Sequence, residues 1–187
     1  ATKRDSGLLD RTLVNEVLKH FIESHESYIG VYACFEPNLL DGKDEQYKNT
    51  QGHDDTGRFI PHWTRDAEGE GIVEPLTYYE VVGFGNYYLI PKNNSREAVI
   101  EPRTESIQGE DRLIVSLSVP VFKTTGYGEF IGVVGINIDL TEFYKSIEKI
   151  RLYETGYIML FSSTGVIVGG ADPAQRGKTL RSVNSNI

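Results

Sequence analysis

The stretch from Asp111 to Leu140, DRLIVSLSVPVFKTTGYGEFIGVVGINIDL, constrains this chain more than any other. Leu113, Val115, Leu117 and Val119 alternate with Ile114, Ser116, Ser118 and Pro120, the period of a strand whose two faces meet different surroundings. Phe130 to Ile138 reads as a second apolar strand returning beside the first. Gly132 and Gly135 stand where a side chain would crowd something lying on the sheet. Thr124-Thr125-Gly126-Tyr127-Gly128 supplies the turn, because glycine accepts the positive φ of tight hairpin connections. The upstream residues read as the rest of one pocket built against this hairpin.

Residues 6–27 predict a helix. Leu8, Leu9, Leu13, Val14, Val17, Leu18, Phe21 and Ile22 recur at three- and four-residue spacing among charged residues, with Asp5 or Ser6 as the cap. A strand is expected at 28–36, and Cys34, the single cysteine, reads as a buried member of it. Residues 37–57 form a long polar loop, a length that compact domains keep for a purpose. Residues 59–64 predict a short strand, and 66–76 return to glycine and acidic residues. Tyr78, Tyr79, Tyr87 and Tyr88 then crowd the segment ending at Pro91. Rings with hydroxyls offer both apolar area and hydrogen bonding, the mixture found in pockets for polar organic ligands; ordinary packing uses them too. A strand at 98–104 leads into the central hairpin. Residues 141–152 predict a helix capped by Thr141. Gly156 to Gly169 predicts a last hairpin turned at Ser163-Thr164-Gly165, read as the opening of a second domain.

Bulk properties exclude several function classes. At 187 residues, 39% hydrophobic and 25% charged, the chain can bury a sizeable core. A net charge of −8 without clustered Lys and Arg argues against nucleic acid. There is no run of about 18 or more apolar residues, the length needed to cross a bilayer, and no leader peptide is visible. His53, Asp54, Asp55 and His62 are metal-capable, but their irregular spacing matches no zinc signature. Asp41-Gly-Lys-Asp44-Glu45 lacks the ligand alternation of a calcium loop. No phosphate loop, nucleophile elbow or Cys/His pair appears, so no catalysis and no cofactor are expected.

With those residues laid out, the chain resembles a double Cache sensor domain, the PAS-like extracellular module of many chemoreceptors and sensor histidine kinases. The resemblance rests on Tyr87-Tyr88, Pro91, Glu101-Pro102, Ser116 to Pro120 and Gly132 to Ile138, in the order of the family's membrane-distal subdomain. Gly156-Tyr157, Ser163 to Gly165, Asp172-Pro173 and Gly177-Lys178 resemble the start of the membrane-proximal one. Glu36-Pro37-Asn38, Asp41 to Asp44, Gly52-His53-Asp54, Gly57 to Pro61 and Trp63 resemble a subgroup common among methyl-accepting chemotaxis receptors. The resemblance implies an α+β fold. A stalk helix (1–27) packs on a PAS-like antiparallel sheet of about five strands (28–140). A connecting helix (141–152) and the beginning of a second subdomain (153–187) follow.

Amino-acid-binding members of that family use an aromatic pair preceded by an arginine, a later Tyr and Asp, and an Asp on the last strand. Here the aromatic pair is Tyr87-Tyr88, but the arginine position holds Gly85, the later pair is Arg103 and Glu105, and the last-strand position is Asn137. Without that arginine there is no bidentate clamp for an α-carboxylate, so an ordinary α-amino acid is disfavoured. The candidate ligand-binding residues are Trp63, Tyr79, Tyr87, Tyr88, Arg103, Glu105, Ser116, Ser118, Asn137 and Asp139. Four keep a second reading: Trp63 as core, Arg103 with Glu105 as a surface bridge, and Asp139 as a helix cap. The expected function is small-molecule sensing in the extracellular or periplasmic part of a membrane receptor, a chemoreceptor or a histidine kinase. The acidic candidates and tyrosines point to an amine or a nitrogen heterocycle as ligand. Membrane attachment would come through segments outside this chain, and a homodimer contact through the first helix.

Overall fold

The first strand, β1 (Tyr28–Phe35), shows how the sheet acquires two apolar faces. Val31, Ala33 and Phe35 turn to one side and Tyr32 and Cys34 to the other, and none is more than 2% exposed. The computed structural model describes residues 10–107, 109–124, 128–154 and 156–183. Its main strands after β1 are β2 (Pro61–Arg65), β3 (Gly71–Pro75), β4 (Ala98–Ile107), β5 (Glu110–Phe122) and β6 (Phe130–Asp139). They join β1 in one six-stranded sheet of order β3-β2-β1-β6-β5-β4. β2 is antiparallel to both neighbours, with Val31 opposite Trp63 and Trp63 opposite Val73. The chain divides into two compact units. One holds everything to Ala98 plus Leu117–Ile136, the other Val99–Ser116 plus Asn137 onward, so β5 and β6 each contribute to both.

In the first unit, helix α1 (Arg11–Ser24) starts after Asp10, whose carboxylate accepts the Thr12 N–H at 2.9 Å. Leu18 and Ile22 bury against Val31, Ala33, Phe35, Phe59 and Ile131. Leu13, Val17 and Phe21 stay 54%, 45% and 42% exposed. They flank an apolar groove of about 590 Å³, which Val119, Val121, Val134 and Ile136 also line. On the opposite face, Tyr32, Cys34, Ile60, Leu76 and Val133 pack with Tyr88 of α2 (Asn86–Asn94). Ser95, in the left-handed region at φ 52°, ends that helix.

The 37–57 segment is pinned from within by Arg11, itself only 5% exposed. Its guanidinium donates to Asp41 at 2.6 and 2.9 Å, to Asp44 at 2.5 Å and to the Gly57 carbonyl at 3.2 Å. Asp44 opens a short 3-10 turn (Asp44–Tyr47), and its second oxygen accepts the Asn38 N–H at 2.7 Å. Gly57 has φ +84°, and a Cβ there would lie 1.8 Å from the Asp44 carbonyl oxygen, so only glycine closes this loop.

In the second unit, β4 and the leading half of β5 accompany α3 (Thr141–Glu148) and two small ladders. These are β7 (Arg151–Leu152) with β8 (Gly156–Tyr157), and β9 (Leu160–Phe161) with β10 (Ile167–Gly169). Ile100, Leu113, Ile114, Ile167 and Val168 are its buried apolar residues. The Glu101 carboxylate accepts from Ser163 and Thr164, each at 2.8 Å. Arg176 pairs with Glu148 and lies 3.6 Å from the centre of the Tyr144 ring. A 3-10 turn (Pro173–Gln175) and a final helical turn, α4 (Leu180–Val183), follow.

The α+β class and the long central hairpin stand as expected from the sequence, with several local differences. The sheet has six strands because residues 71–75, acidic and glycine-bearing, pair with β2 as an edge strand. The short strand expected at 59–64 runs from Pro61 to Arg65. The tyrosine-rich segment contains a helix, α2, despite Pro91 within it. α3 stops at Glu148, and Thr141 is its first helical residue rather than its cap. Leu140 holds the cap position, and the Asp139 carboxylate accepts the Thr141 N–H at 2.7 Å. The last hairpin is only the β9–β10 ladder, Gly156-Tyr157 pairing instead with β7. Asp5, Ser6, Leu8, Leu9 and residues 125–127 of the expected turn lie outside the described residues.

Two outcomes follow from this packing. Asp44→Ala removes one of the two carboxylates on a buried guanidinium that Asp41 still holds, and should cost about 1–3 kcal/mol in urea unfolding. Asp41, held below its ordinary pKa chiefly by its hydrogen bond from Arg11, adds stability above the unfolded carboxylate value. That part is lost as pH falls through the lower folded value, and Asp41→Asn should flatten this acid limb. At Gly135 a Cβ would meet the Tyr32 hydroxyl at 2.3 Å and the Leu117 carbonyl at 2.7 Å. Gly135→Ala should therefore lower the melting temperature, whereas Gly42→Ala, with open space around it, is penalised only by its φ of +72°.

Candidate functional site

Arg58 organises the polar side of the first unit, at 3% exposure. Its Nε donates to the Phe35 carbonyl at 2.5 Å, Nη1 to Glu80 at 2.8 Å and Nη2 to the Tyr88 hydroxyl at 2.7 Å. Burial works against its charge, but the surrounding thiol, phenols and carboxylate hold its pKa above the ordinary arginine value. The Tyr88 hydroxyl also accepts from Lys92 at 3.0 Å and donates to Glu36, and Lys92 closes the ring on Glu36 at 2.5 Å. Burial pushes the Glu36 carboxyl up, yet the bonds from Lys92 and Tyr88 outweigh it, leaving Glu36 below the usual range. Tyr88 is held well above an ordinary phenol, first by burial and then by its bond to Glu36. Tyr79 stands edge-on to Tyr88 at 5.9 Å and donates to Asp54 at 3.0 Å. Asp54 also accepts from Thr56 and from the Arg58 N–H.

The neighbouring aromatic group is Tyr32, Tyr87 and His62. Tyr32, 1% exposed, meets Ser118 through its hydroxyl at 2.8 Å. It also meets Tyr87 edge-on at 5.2 Å and His62 at 6.2 Å. Tyr87 is half-buried and donates to the Thr77 carbonyl at 2.9 Å. Gly85, at the N-terminus of α2, is closed to any side chain, because a Cβ would lie 2.2 Å from the Tyr79 carbonyl oxygen. The position is thus sterically sealed.

In the second unit a polar row crosses three strands. Arg103 on β4 donates to Glu105 at 2.7 Å and to the Ser116 hydroxyl at 2.9 Å, and Ser116 donates to Asn137 Oδ1 at 2.6 Å. Ser116 is fully buried and Asn137 is 9% exposed, whereas the Arg103 and Glu105 side chains are 37% and 41% exposed. The row therefore has a fixed buried end and an adjustable end in reach of solvent. Asp139 is committed elsewhere, to Arg112 at 3.0 Å and to the Thr141 N–H.

The sequence-derived residues thus fall into groups. Tyr79, Tyr87, Tyr88 and Ser118 share the polar side of the first unit, while Arg103, Glu105, Ser116 and Asn137 form the row of the second. Trp63 stands apart, in the core beneath α1, donating through Nε1 to Asn15 at 3.1 Å. Among the described residues no three His, Cys, Asp or Glu side chains gather to hold a metal ion, and Asp41 and Asp44 hold Arg11 instead. Tyr32, Arg58 and Lys92 were not singled out from the sequence. Tyr32 was legible in principle, since the alternation of β1 puts it beside Cys34, opposite the face of Val31 and Phe35. Arg58 carries no such signal, because Glu80 and Tyr88 lie 22 and 30 positions away, and Lys92, though one helical turn from Tyr88, meets Glu36 from 56 positions away.

Comparison with known proteins agrees with the fold. Residues 14–145 match the family described as methyl-accepting chemotaxis protein-like, first PDC sensor domain. The chain is 27% identical to the methyl-accepting chemotaxis protein TlpQ of Pseudomonas aeruginosa over 85% of its own length and 24% of that receptor. The extracellular domain of the putative histidine kinase mmHK1S-Z2 is 33% identical, with a TM-score of 0.79 over 92% of this chain and 62% of that one. The ligand-binding domain of the P. aeruginosa chemoreceptor PctC, solved with GABA, is 19% identical with a TM-score of 0.60 and shares the fold. The chain thus spans about a quarter of the curated receptor and less than two thirds of the solved domains. With the match covering the whole sheet, it belongs to the methyl-accepting chemotaxis protein-like family of first PDC sensor domains.

Proposed function

We propose that this sensor domain is the extracytoplasmic part of a chemoreceptor that recognises a small organic molecule at the Arg103–Glu105–Ser116–Asn137 row. The observation that carries this reading is the buried hydroxyl–amide pair continued by a half-exposed Arg–Glu pair. Buried polar groups on a sheet need partners, and a row with one end open lets a ligand complete them. The ligand is an amine or nitrogen heterocycle, with Glu105 as the carboxylate that turns from Arg103 to a ligand cation. Asn137 stands ready as a second acceptor or, with its amide N–H groups, a donor. A histidine kinase output is the second reading, favoured by the 33% identity to the extracellular domain of a putative histidine kinase. The residues from 153 onward belong, on this view, to the beginning of a second Cache subdomain. A homodimer contact uses the exposed Leu13, Val17 and Phe21 of α1.

A thermal-shift screen of the 187-residue chain against amines, purines, amino acids and organic acids, with hits confirmed by calorimetry, tests the assignment. A ligand at about 100 times its dissociation constant should stabilise by roughly 2.7 kcal/mol. Asn137→Ala should weaken a true hit by about tenfold or more, equivalent to the ~1–3 kcal/mol of a lost buried hydrogen bond. Glu105→Gln should weaken amines selectively. Hits confined to organic acids, strengthened by Glu105→Gln, would reverse the ligand's charge while keeping the row. Hits indifferent to Asn137→Ala and Arg103→Ala would remove the site altogether. Gly85→Arg should destabilise the domain rather than create an α-amino-acid receptor, because that position has no room for a side chain.

A further inference from the structure

One buried histidine takes no part in the groups above. His53 is 6% exposed, with its ring stacked on Tyr47 at 5.1 Å and 14° and against Phe59 at 5.1 Å. Nδ1 lies 2.9 Å from the Gln51 carbonyl and 3.1 Å from Thr50 Oγ1. A carbonyl can only accept, and the Thr50 hydroxyl already donates to the Tyr47 carbonyl at 2.7 Å, so Nδ1 carries the hydrogen. Nε2 is then the unprotonated nitrogen. It is buried and meets no hydrogen-bond partner among the described residues.

A neutral ring tolerates that position at modest cost. An imidazolium would place an N–H and a positive charge where neither finds an acceptor. The groups around it act in both directions. From α1, Arg11 stacks over Tyr47 and Phe59, the two rings that sandwich His53, at 4.4 and 5.4 Å, and repels a second cation. From the 3-10 turn Asp44 attracts one, but it is bound to Arg11, as is Asp41. The adjacent Asp54 carboxylate is turned to Thr56 and Tyr79. Burial, acting first, and Arg11 together outweigh the attraction of Asp44 and the two backbone contacts, so the imidazole sits below its ordinary value of 6.5.

We propose that His53 is an acid-responsive latch, whose proton uptake at Nε2 unseats the ring from between Tyr47 and Phe59 and loosens the 37–57 segment from α1. The coupling is direct, because the two rings that clasp His53 also carry the Arg11 guanidinium, which ties this segment to the helix. The linkage sign follows from the lowered folded value. The contribution is fully present above the unfolded imidazole pKa of about 6.5 and is lost as pH falls from there through the folded value. The domain thereby responds to mild acid without any organic ligand, through residues separate from the Arg103–Asn137 row.

The test follows the histidine ring resonances of the whole 187-residue chain through a pH titration. Melting temperature and hydrogen exchange of residues 11–24 and 37–57 are measured beside it, for wild type, His53→Gln and His62→Gln. The latch requires that His53 titrate below the ordinary imidazole value of about 6.5. Wild type should lose about 3 °C or more between pH 7 and pH 5 relative to His53→Gln, with faster exchange in both segments. His62→Gln should keep the wild-type slope. Equal slopes for wild type and His53→Gln, an ordinary titration of His53, or transfer of the effect to His62→Gln would each overturn it. Should His53→Gln not fold, the His53 resonance and the wild-type exchange decide the matter by themselves.

Discussion

A buried guanidinium is the constraint on which the first unit depends. Arg58 follows a glycine that closes the 37–57 segment and reaches at once to the end of β1, to the Glu80 turn and to α2. Removing such a charge from water is expensive, and only complete hydrogen bonding offsets it. The consequence is positional: the segment that carries Tyr78 to Tyr88 has little regular structure until α2, yet the Tyr88 hydroxyl and the Tyr79 ring hold fixed places against the guanidinium. Arg11 performs a comparable task on the other side of β1. The chain thus uses two buried arginines to fix irregular backbone that hydrophobic contact alone would leave loosely held.

Much of the sheet could be read from the residues, and the reason is periodicity. β1, β5 and β6 are long, and burial on both faces makes them rich in Val, Ile and aromatic residues. The alternation of Ser116 and Ser118 with Leu117 was a faithful sign that one face differs from the other. β3 was not legible because Gly71, Glu74 and Pro75 are unusual strand residues, tolerated only because it pairs on a single side. α2 was hidden by Pro91 and by the lack of any apolar stripe, since only Tyr88 and Pro91 among its residues are buried and Tyr88 is held by Arg58 as well as by the core.

The candidate site was legible in kind but not in grouping. Asn137, Ser116, Arg103 and Glu105 were each marked by polarity on an apolar hairpin or by family position, and they do meet. Trp63 and Asp139 were marked by the same reasoning and lie elsewhere. A lone aromatic or acid says what it can do, and only tertiary contacts say to whom. Asp139 illustrates the difference: one carboxylate oxygen serves α3 and the other serves Arg112, so a residue two places from Asn137 is committed outside the row.

The burial of Cys34 has a practical side. Its thiol lies within 3.9 Å of the Arg58 guanidinium, yet burial pushes its pKa up to about 12, so at neutral pH it is neither ionised nor reachable. As the single cysteine of the chain, it leaves the surface free of competing thiols. A cysteine introduced at an exposed position of α1 would accept a spin label or fluorophore at one site alone. Distances measured from such a probe would then report the helix's motion directly, without first altering the native sequence to silence a background thiol.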